Sequence, residues 1–471
     1  KKKVTTKYST ITGVSAIKDL GVTHVELLPI YDFASGGDEA TPTFNWGYDP
    51  LNYNVPEGGF STNPSDPAAR ITELKTAIQS LHGNGLGVIM DVVYNHVFDA
   101  RGFAFEQLVP GYFFRQTADG SFVSGLGVGN EVNSERSMVR KFIVDSTIYW
   151  AGQYHLDGFR FDLMGSLDVT TMNEIAAKVH AINPKFIVLG EGWTLGSPKD
   201  GANQQSAIRM PLIAHFNDQF RDGVKGSVFN SGDGGYVNGG AFGRANDVKS
   251  GIVGNIDFLG VVPKWTTLSP TQSINYVESH DNMTLYDKLK ATVLKPTAAN
   301  LIAADRQAAA LVFLSQGVPF IQAGQEFLRS KGGDGNSYAS SDSVNSLKWK
   351  LRALNASTVN YYKGLIALRK AHPIFRLSTA AEVKNRLKFV SGNTLNAISF
   401  TLDGTGLAGE TWAETYVAFN PNPTAYTFKL PSSGDWQVVV NETSAGTVTI
   451  KTLSGVSAIK VPAHASVVLH R

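Results

Sequence analysis

Between about residue 14 and residue 325 the chain alternates between two hydrophobic patterns. One has apolar positions three and four apart; the other is apolar throughout but short. The first predicts helices over Ile71–His82, stopped by Gly83-Asn84-Gly85, over Met138–Tyr154, and over Met172–Ile182, which ends before Pro184. A shorter helical segment closes at Ile17–Leu20, before Gly21. The second pattern predicts strands at Val22–Pro29, Gly87–Val93, His155–Phe161, Phe186–Leu189, Ile213–Phe216, Ile274–Val277 and Val318–Ile321. Strands separated by helices imply parallel βαβ units. Six or more of them over roughly 300 residues favour a (β/α)8 TIM-type barrel over an open sheet. From about residue 380 the pattern changes to short β-branched and aromatic runs set off by Gly, Pro and Asn, as expected of an antiparallel β-sandwich. These runs are Leu395–Thr401, Thr415–Phe419, Gln437–Val440 and Thr447–Ile450. The boundary is placed near Ser378, giving a catalytic barrel over 1–378 and a C-terminal β-domain over 379–471.

Composition adds little to this picture but excludes some partners. With 42% apolar and 17% charged residues among 471, the chain can bury more than one core. A net charge of +2 gives no polyanion footprint, so nucleic acid is not an expected partner. No apolar run reaches the roughly 20 residues of a membrane-spanning helix, so no membrane partner is expected either. The basic start, Lys1-Lys2-Lys3-Val4, lacks the apolar core of a signal peptide. Without cysteine there is no disulfide and no thiolate metal site, which leaves the compartment open.

Catalytic residues of a parallel barrel sit where its strands end. Four predicted strands end in polar, titratable residues: Tyr94-Asn95-His96, Arg160 and Asp162, Gly190-Glu191-Gly192-Trp193, and Glu278-Ser279-His280-Asp281-Asn282. Any one of these acids alone reads as a helix cap or a turn residue. Four such ends on one rim are much harder to explain that way. Retaining glycoside hydrolysis needs two carboxylates about 5–5.5 Å apart. Asp162 and Glu191 end consecutive strands, and neighbouring strands lie roughly 5 Å apart. Arg160, on the same face as Asp162, would keep that aspartate ionised and nucleophilic. Glu191, beside Trp193 and two glycines, is expected in a drier setting that suits a general acid. Asp281 would stabilise positive charge in the transition state, with His96 and His280 donating to sugar hydroxyls. Asp, Glu and His can also ligate zinc or manganese. No His-x-x-x-His pair is present, however, and arginine and tryptophan on the rim suit a sugar pocket better.

Asp91-Val92-Val93-Tyr94-Asn95-His96, Gly158-Phe159-Arg160-Phe161-Asp162, Gly190-Glu191-Gly192-Trp193 and Ser279-His280-Asp281-Asn282 resemble, in order and spacing, the signature regions of the α-amylase superfamily, glycoside hydrolase family 13. The resemblance implies that Asp162 is the nucleophile, Glu191 the acid/base and Asp281 the transition-state stabiliser. Phe44-Asn45-Trp46-Gly47-Tyr48-Asp49-Pro50 is similar to the type I pullulanase signature, although that signature normally opens with Tyr. The segments Gly158–Gly165 and Lys331–Tyr338 are also similar to pullulanases. The expected substrate-site residues are therefore Tyr48, Trp46, Asp49, Asn95, His96, Arg160, Met164, Trp193, His280, Asn282, Asp334, Asn336 and Tyr338. Tyr48 would stack on the sugar at the cleaved bond and Trp193 would line the neighbouring subsite. For Trp46, ordinary packing of the loop on the rim is an equal reading. In relatives the position of Asn95 often lies near a calcium, which leaves Ca2+ open here, but two carboxylates need no metal, and no cofactor is expected to be required.

The implied activity is hydrolysis of α-1,6 bonds in pullulan, branched dextrins, glycogen or amylopectin. The alternatives are an α-1,4-acting amylase, a transglycosylase, or a non-catalytic glucan-binding protein. The last would be expected to have lost one of the three acids, and all three are present. The family's first barrel strand has no counterpart in residues 1–21, where Lys1–Thr12 is polar and only a short helix follows. The expectation is a barrel whose first strand, with further domains, lies upstream in a longer polypeptide.

Overall fold

The computed structural model describes residues 10–34, 39–240, 243–394 and 396–471. Most of the polar stretch at 1–12, and Leu395 at the head of one expected strand, lie outside the described residues. The chain divides into two compact units. The first comprises residues 22–216 and 338–342, and the second residues 1–21, 217–337 and 343–471.

The first unit is built on parallel strands. In chain order its strands are β1 (His24–Leu27), β2 (Tyr31–Phe33), β3 (Pro50–Pro56), β4 (Gly87–Val92), β5 (Gly158–Phe161), β6 (Ile187–Gly190) and β7 (Ala214–Phe216). Strands β1, β4, β5, β6 and β7 are neighbours in that order and run parallel. β2 and β3 form an antiparallel pair, an element the hydrophobic pattern did not predict. β5 is buried along its whole length, as are β4 and β6 beyond their first residues. That burial is why they read as continuous apolar runs. The helices between them start on sequence signals. Asp66 caps Pro67–His82 by accepting from the Ala68 amide, and Asp168 caps Val169–Ile182 by accepting from that of Thr171. The helix Ser137–Tyr154 ends at His155, which is left-handed at φ 53°. β5 therefore begins at Gly158, and the strand expected from His155 is shorter by one helix cap.

In the second unit, β8 (Ser273–Asn275) and β9 (Val318–Pro319) are again parallel. Helices Leu285–Thr292, Ala298–Leu314 and Ala356–Ala371 belong to the same unit. The tail is antiparallel throughout: β10 (Leu387–Phe389), β11 (Ile398–Asp403), β12 (Glu414–Asn420), β13 (Tyr426–Val440), β14 (Lys451–Val461) and β15 (Ala465–His470). Its strands join in one sheet, in the order β10-β11-β12-β15-β13-β14, rather than in the two stacked sheets of the expected sandwich. Tyr416, Phe428, Trp436, Val467 and Leu469 form its core. The architecture is thus α/β with parallel strands, followed by an antiparallel C-terminal sheet.

Candidate active site

β4, β5 and β6 set the site of the first unit through their register. Asp91 of β4 pairs with Arg160 of β5, and Phe161 of β5 with Gly190 of β6. The ladder runs one residue beyond the strands. The Asp162 amide donates to the Val92 carbonyl at 3.0 Å, and the Glu191 amide to the Phe161 carbonyl at 3.0 Å. Asp162 and Glu191 are therefore carried side by side on adjacent strand ends.

One guanidinium joins three carboxylates. Arg160 Nη1 donates to both Asp91 oxygens at 2.9 and 3.0 Å and to Asp162 Oδ1 at 3.0 Å. Its Nη2 pairs with Glu191 Oε1 at 2.7 Å. Arg160 is 3% exposed and Glu191 8%. The dry setting expected for Glu191 is present, but the arginine expected to serve Asp162 serves Glu191 as well. Burial holds the Asp91 carboxyl well above the usual range, with Arg160 pulling it down. Asp91 lies inside an otherwise apolar run, and this charged residue in a buried strand was the sequence signal for a third acid that motif roles alone left unassigned.

The chain leaves β5 by an uncommon route. Leu163 is left-handed at φ 41°, a conformation that costs about 1 kcal/mol or more for such a residue. The turn aims the Leu163 amide at Glu191 Oε2, 3.2 Å away, and brings the Gly165 amide to the Glu191 carbonyl at 3.1 Å. Glycines make the crossing feasible. A β-carbon on Gly165 would lie 1.8 Å from the Trp193 carbonyl oxygen, and one on Gly192 would lie 2.2 Å from His215 Nδ1.

Asn95 completes the surroundings of Asp162. Its Nδ2 donates to Asp162 Oδ2 at 2.7 Å and to the Asp162 carbonyl at 2.9 Å, while its Oδ1 faces His96 Nδ1. Both ends of this amide are engaged inside the site. No group of three or more acidic or histidine side chains is placed to hold a metal among the described residues. Burial pushes the His96 imidazole below its ordinary value, against the pull of Asp162.

Tyr48 is half-buried. Its hydroxyl donates to Asp91 Oδ2 at 2.5 Å and the Arg160 guanidinium lies 5.6 Å from its ring centroid. Trp46 is buried, edge-to-face against both Tyr48 and Tyr338, and its amide donates to the Tyr338 carbonyl at 3.0 Å. Trp46 thus packs its ring against that of Tyr48. Asp49 and Trp193 are half-buried and Tyr338 is exposed. Met164, also expected at the substrate site, lies deeper than these. It is wholly buried, with Sδ only 2.8 Å from where a β-carbon on Gly190 would stand, and so packs beneath the β6 end.

A clamp outside the motifs holds the chain that follows Trp193. Glu131, 1% exposed, accepts from the Gly125 amide at 2.6 Å and the Ser197 amide at 3.0 Å. Glu135 accepts from the Lys199 amide at 3.0 Å and from Arg115 at 2.8 Å. Neither glutamate stands at a strand end, so no positional signal marked them.

In the second unit, β8 leads to Glu278, His280, Asp281 and Asn282. Asp281 and His280 are half-buried, with His280 Nε2 3.7 Å from Asp281 Oδ1. Asn282 is left-handed at φ 66°, a conformation that asparagine tolerates. Asp334 is half-buried, and its Oδ1 accepts from the amide of exposed Asn336 at 2.9 Å.

No helix among the described residues is long and apolar enough to cross a membrane. Residues 383–444 match the family model described as "Pullulanase, all-beta domain". The pullulanase of Bacillus subtilis is 44% identical over 426 residues, 89% of this chain and 58% of its own length. The chain thus spans less than two thirds of that relative. The apo pullulanase structure from Paenibacillus barengoltzii is 44% identical, with a TM-score of 0.94 over 100% of this chain and 72% of that one. A pullulanase from Anoxybacillus, complexed with maltotetraose, is 40% identical, with a TM-score of 0.92 over 100% of this chain and 67% of that one.

Proposed function

The chain belongs to the pullulanase family, and we propose that it is a retaining glycoside hydrolase that cleaves α-1,6-glucosidic bonds in pullulan and branched α-glucans. One observation carries the reading: Asp162 and Glu191 on adjacent strand ends, bridged by Arg160. The maltotetraose held by the Anoxybacillus relative supports an α-glucan as ligand. The parallel strands are taken as those of a (β/α)8-type barrel.

In the first step an Asp162 oxygen bonds to the anomeric carbon while Glu191 gives its proton to the departing glycosidic oxygen. In the second, Glu191 takes a proton from water as the water oxygen displaces Asp162 from that carbon. Arg160 and Asn95 hold the two Asp162 oxygens in place. The Leu163 amide and Arg160 hold the Glu191 carboxyl facing it. Asp281 takes the stabilising role its motif implies, and Tyr48, packed against Trp46, offers its ring to the sugar.

Incubation with pullulan and with amylose tests the proposal. Maltotriose from pullulan with amylose intact is the expected result. Cleavage of amylose would move the reading to an α-1,4 or dual enzyme. Normal turnover by Asp162→Asn would refute the nucleophile.

A further inference from the structure

In the second unit the segment 279–284, which carries Asp281, is fastened to the segment 330–337 from both sides. From one side, Lys331, 4% exposed, sends its Nζ to the His280 carbonyl at 3.0 Å, immediately before Asp281. From the other, Asp287, 4% exposed, accepts from the Lys331 amide at 2.8 Å, the Gly333 amide at 3.1 Å and the Ser330 hydroxyl at 2.5 Å. The far end is tied too. Asn345 Nδ2 donates to the Ser337 carbonyl at 2.8 Å, and Asn345 Oδ1 accepts from the Ser337 hydroxyl at 2.9 Å. Across residues 279–284, Glu278 Oε2 accepts from the Leu285 amide at 2.6 Å, and Lys225 Nζ donates to the Met283 carbonyl at 3.4 Å. Buried lysines thus hold the carbonyls on both sides of Asp281-Asn282.

Burying charged groups is costly unless geometry repays it, so a cluster of this kind usually marks a specified arrangement rather than added stability. Here each ion bonds to backbone of the two segments. Lys331 Nζ bonds to the backbone just before Asp281, and Asp287 to the backbone of segment 330–337. Gly335 packs on Asn282 across the same junction, where a β-carbon would sit 3.7 Å from the Asn282 Cα.

We propose that Lys331 and Asp287 are positioning residues for Asp281: together they lock segment 330–337 to segment 279–284 and fix the direction of the Asp281 carboxylate. This rests on the catalytic reading of Asp281 given above. The charged groups facing Lys331 are Arg329 on its own segment, Glu278 and Asp281 on the opposite one, Asp287 on the following helix, and Asp334. Burial and Arg329 push its ammonium down to about 8, against Glu278, Asp281 and Asp334. The positive charge beside Asp281 is present below that pH and lost above it.

Rates on pullulan from about pH 5 to about pH 10, together with amide hydrogen exchange, test the lock. Lys331→Met is expected to lose about 10- to 100-fold in kcat, with KM within about threefold, because a misdirected group weakens the transition state more than binding. Its alkaline limb near pH 8 disappears, and amides of 279–284 exchange faster. Lys331→Arg keeps donor and charge, recovers most of kcat and moves the alkaline limb upward. If Lys331→Met does not fold, Lys331→Arg and Asp287→Asn still decide, through the limb and through the exchange rate. Unchanged kcat, or an alkaline limb that stays in place in both lysine variants, overturns the proposal. Absence of wild-type turnover refutes the hydrolase reading instead; the lock then stands or falls on exchange across 279–284 in Lys331→Met.

Discussion

Gly165 and the carbonyl of Trp193 approach so closely that a β-carbon on the glycine would stand 1.8 Å from that oxygen. Backbone on both sides of this contact belongs to the site, since the Gly165 amide also holds the Glu191 carbonyl. Gly165→Ala must therefore push the β5 and β6 ends apart. The expected cost is about 1–3 kcal/mol or more of stability, with loss of turnover in the protein that still folds. Thermal unfolding and pullulan hydrolysis check it. An alanine variant with wild-type melting and rate would mean that the two strand ends have slack.

Arg160 is bonded to Asp91, Asp162 and Glu191 together. Removing it as Arg160→Met leaves buried carboxylates uncompensated, at about 3–5 kcal/mol near pH 7. Asp91 is already held above its ordinary value by burial, and without Arg160 it rises further. A carboxyl with a raised folded-state pKa contributes stability that is fully present below its unfolded value and is lost as pH rises from there through its folded one. The stability difference from wild type should therefore narrow as pH falls from about 7 towards about 5. Denaturant unfolding at the two pH values measures it, and a difference that widens on acidification would contradict the account.

Asn95 donates twice to Asp162 through a single nitrogen. A hydrogen bond to a charged group contributes about 1.5–3 kcal/mol, so Asn95→Ala should lower kcat/KM by about 10- to 100-fold. Steady-state rates on pullulan give the number. A change confined to KM would instead place Asn95 among groups that bind ground state and transition state equally.

Glu131 grips the Gly125 and Ser197 amides with its two oxygens. In Glu131→Gln one oxygen becomes an NH2 facing an N–H, so one amide is released, at about 1–3 kcal/mol. The expected outcome is faster proteolytic nicking between residues 193 and 200 and a raised KM, with kcat less affected. Limited proteolysis and initial rates distinguish this from general unfolding, which would lower kcat as well.

The strand ends were legible because buried parallel strands are continuous apolar runs closed by a polar residue, as at Gly87–Val92. The paired acids followed from strand spacing alone. Other features left no pattern to read. β13 contains Pro431, Ser432, Ser433, Gly434 and Asp435, a sequence of turn formers that tertiary pairing with β14 carries through with two register shifts. Only its end was predicted, and β14 begins at Lys451, just past the Thr447–Ile450 run. Leucine gives no hint of a left-handed backbone, so the turn at Leu163 could not be foreseen. Met164 stands in the motif Gly158–Gly165, and its complete burial just after that turn left no pattern to read.

Asp162 is followed by left-handed Leu163, and Asp281 by left-handed Asn282. In each case the main chain passes through a left-handed residue directly after the acid, so backbone torsion acts together with the side chains that hold the carboxylate in setting its direction. Grafting such acids onto another parallel sheet would reproduce their spacing but not their direction. What has to be transplanted with each acid is the left-handed residue after it and the side chains that hold it.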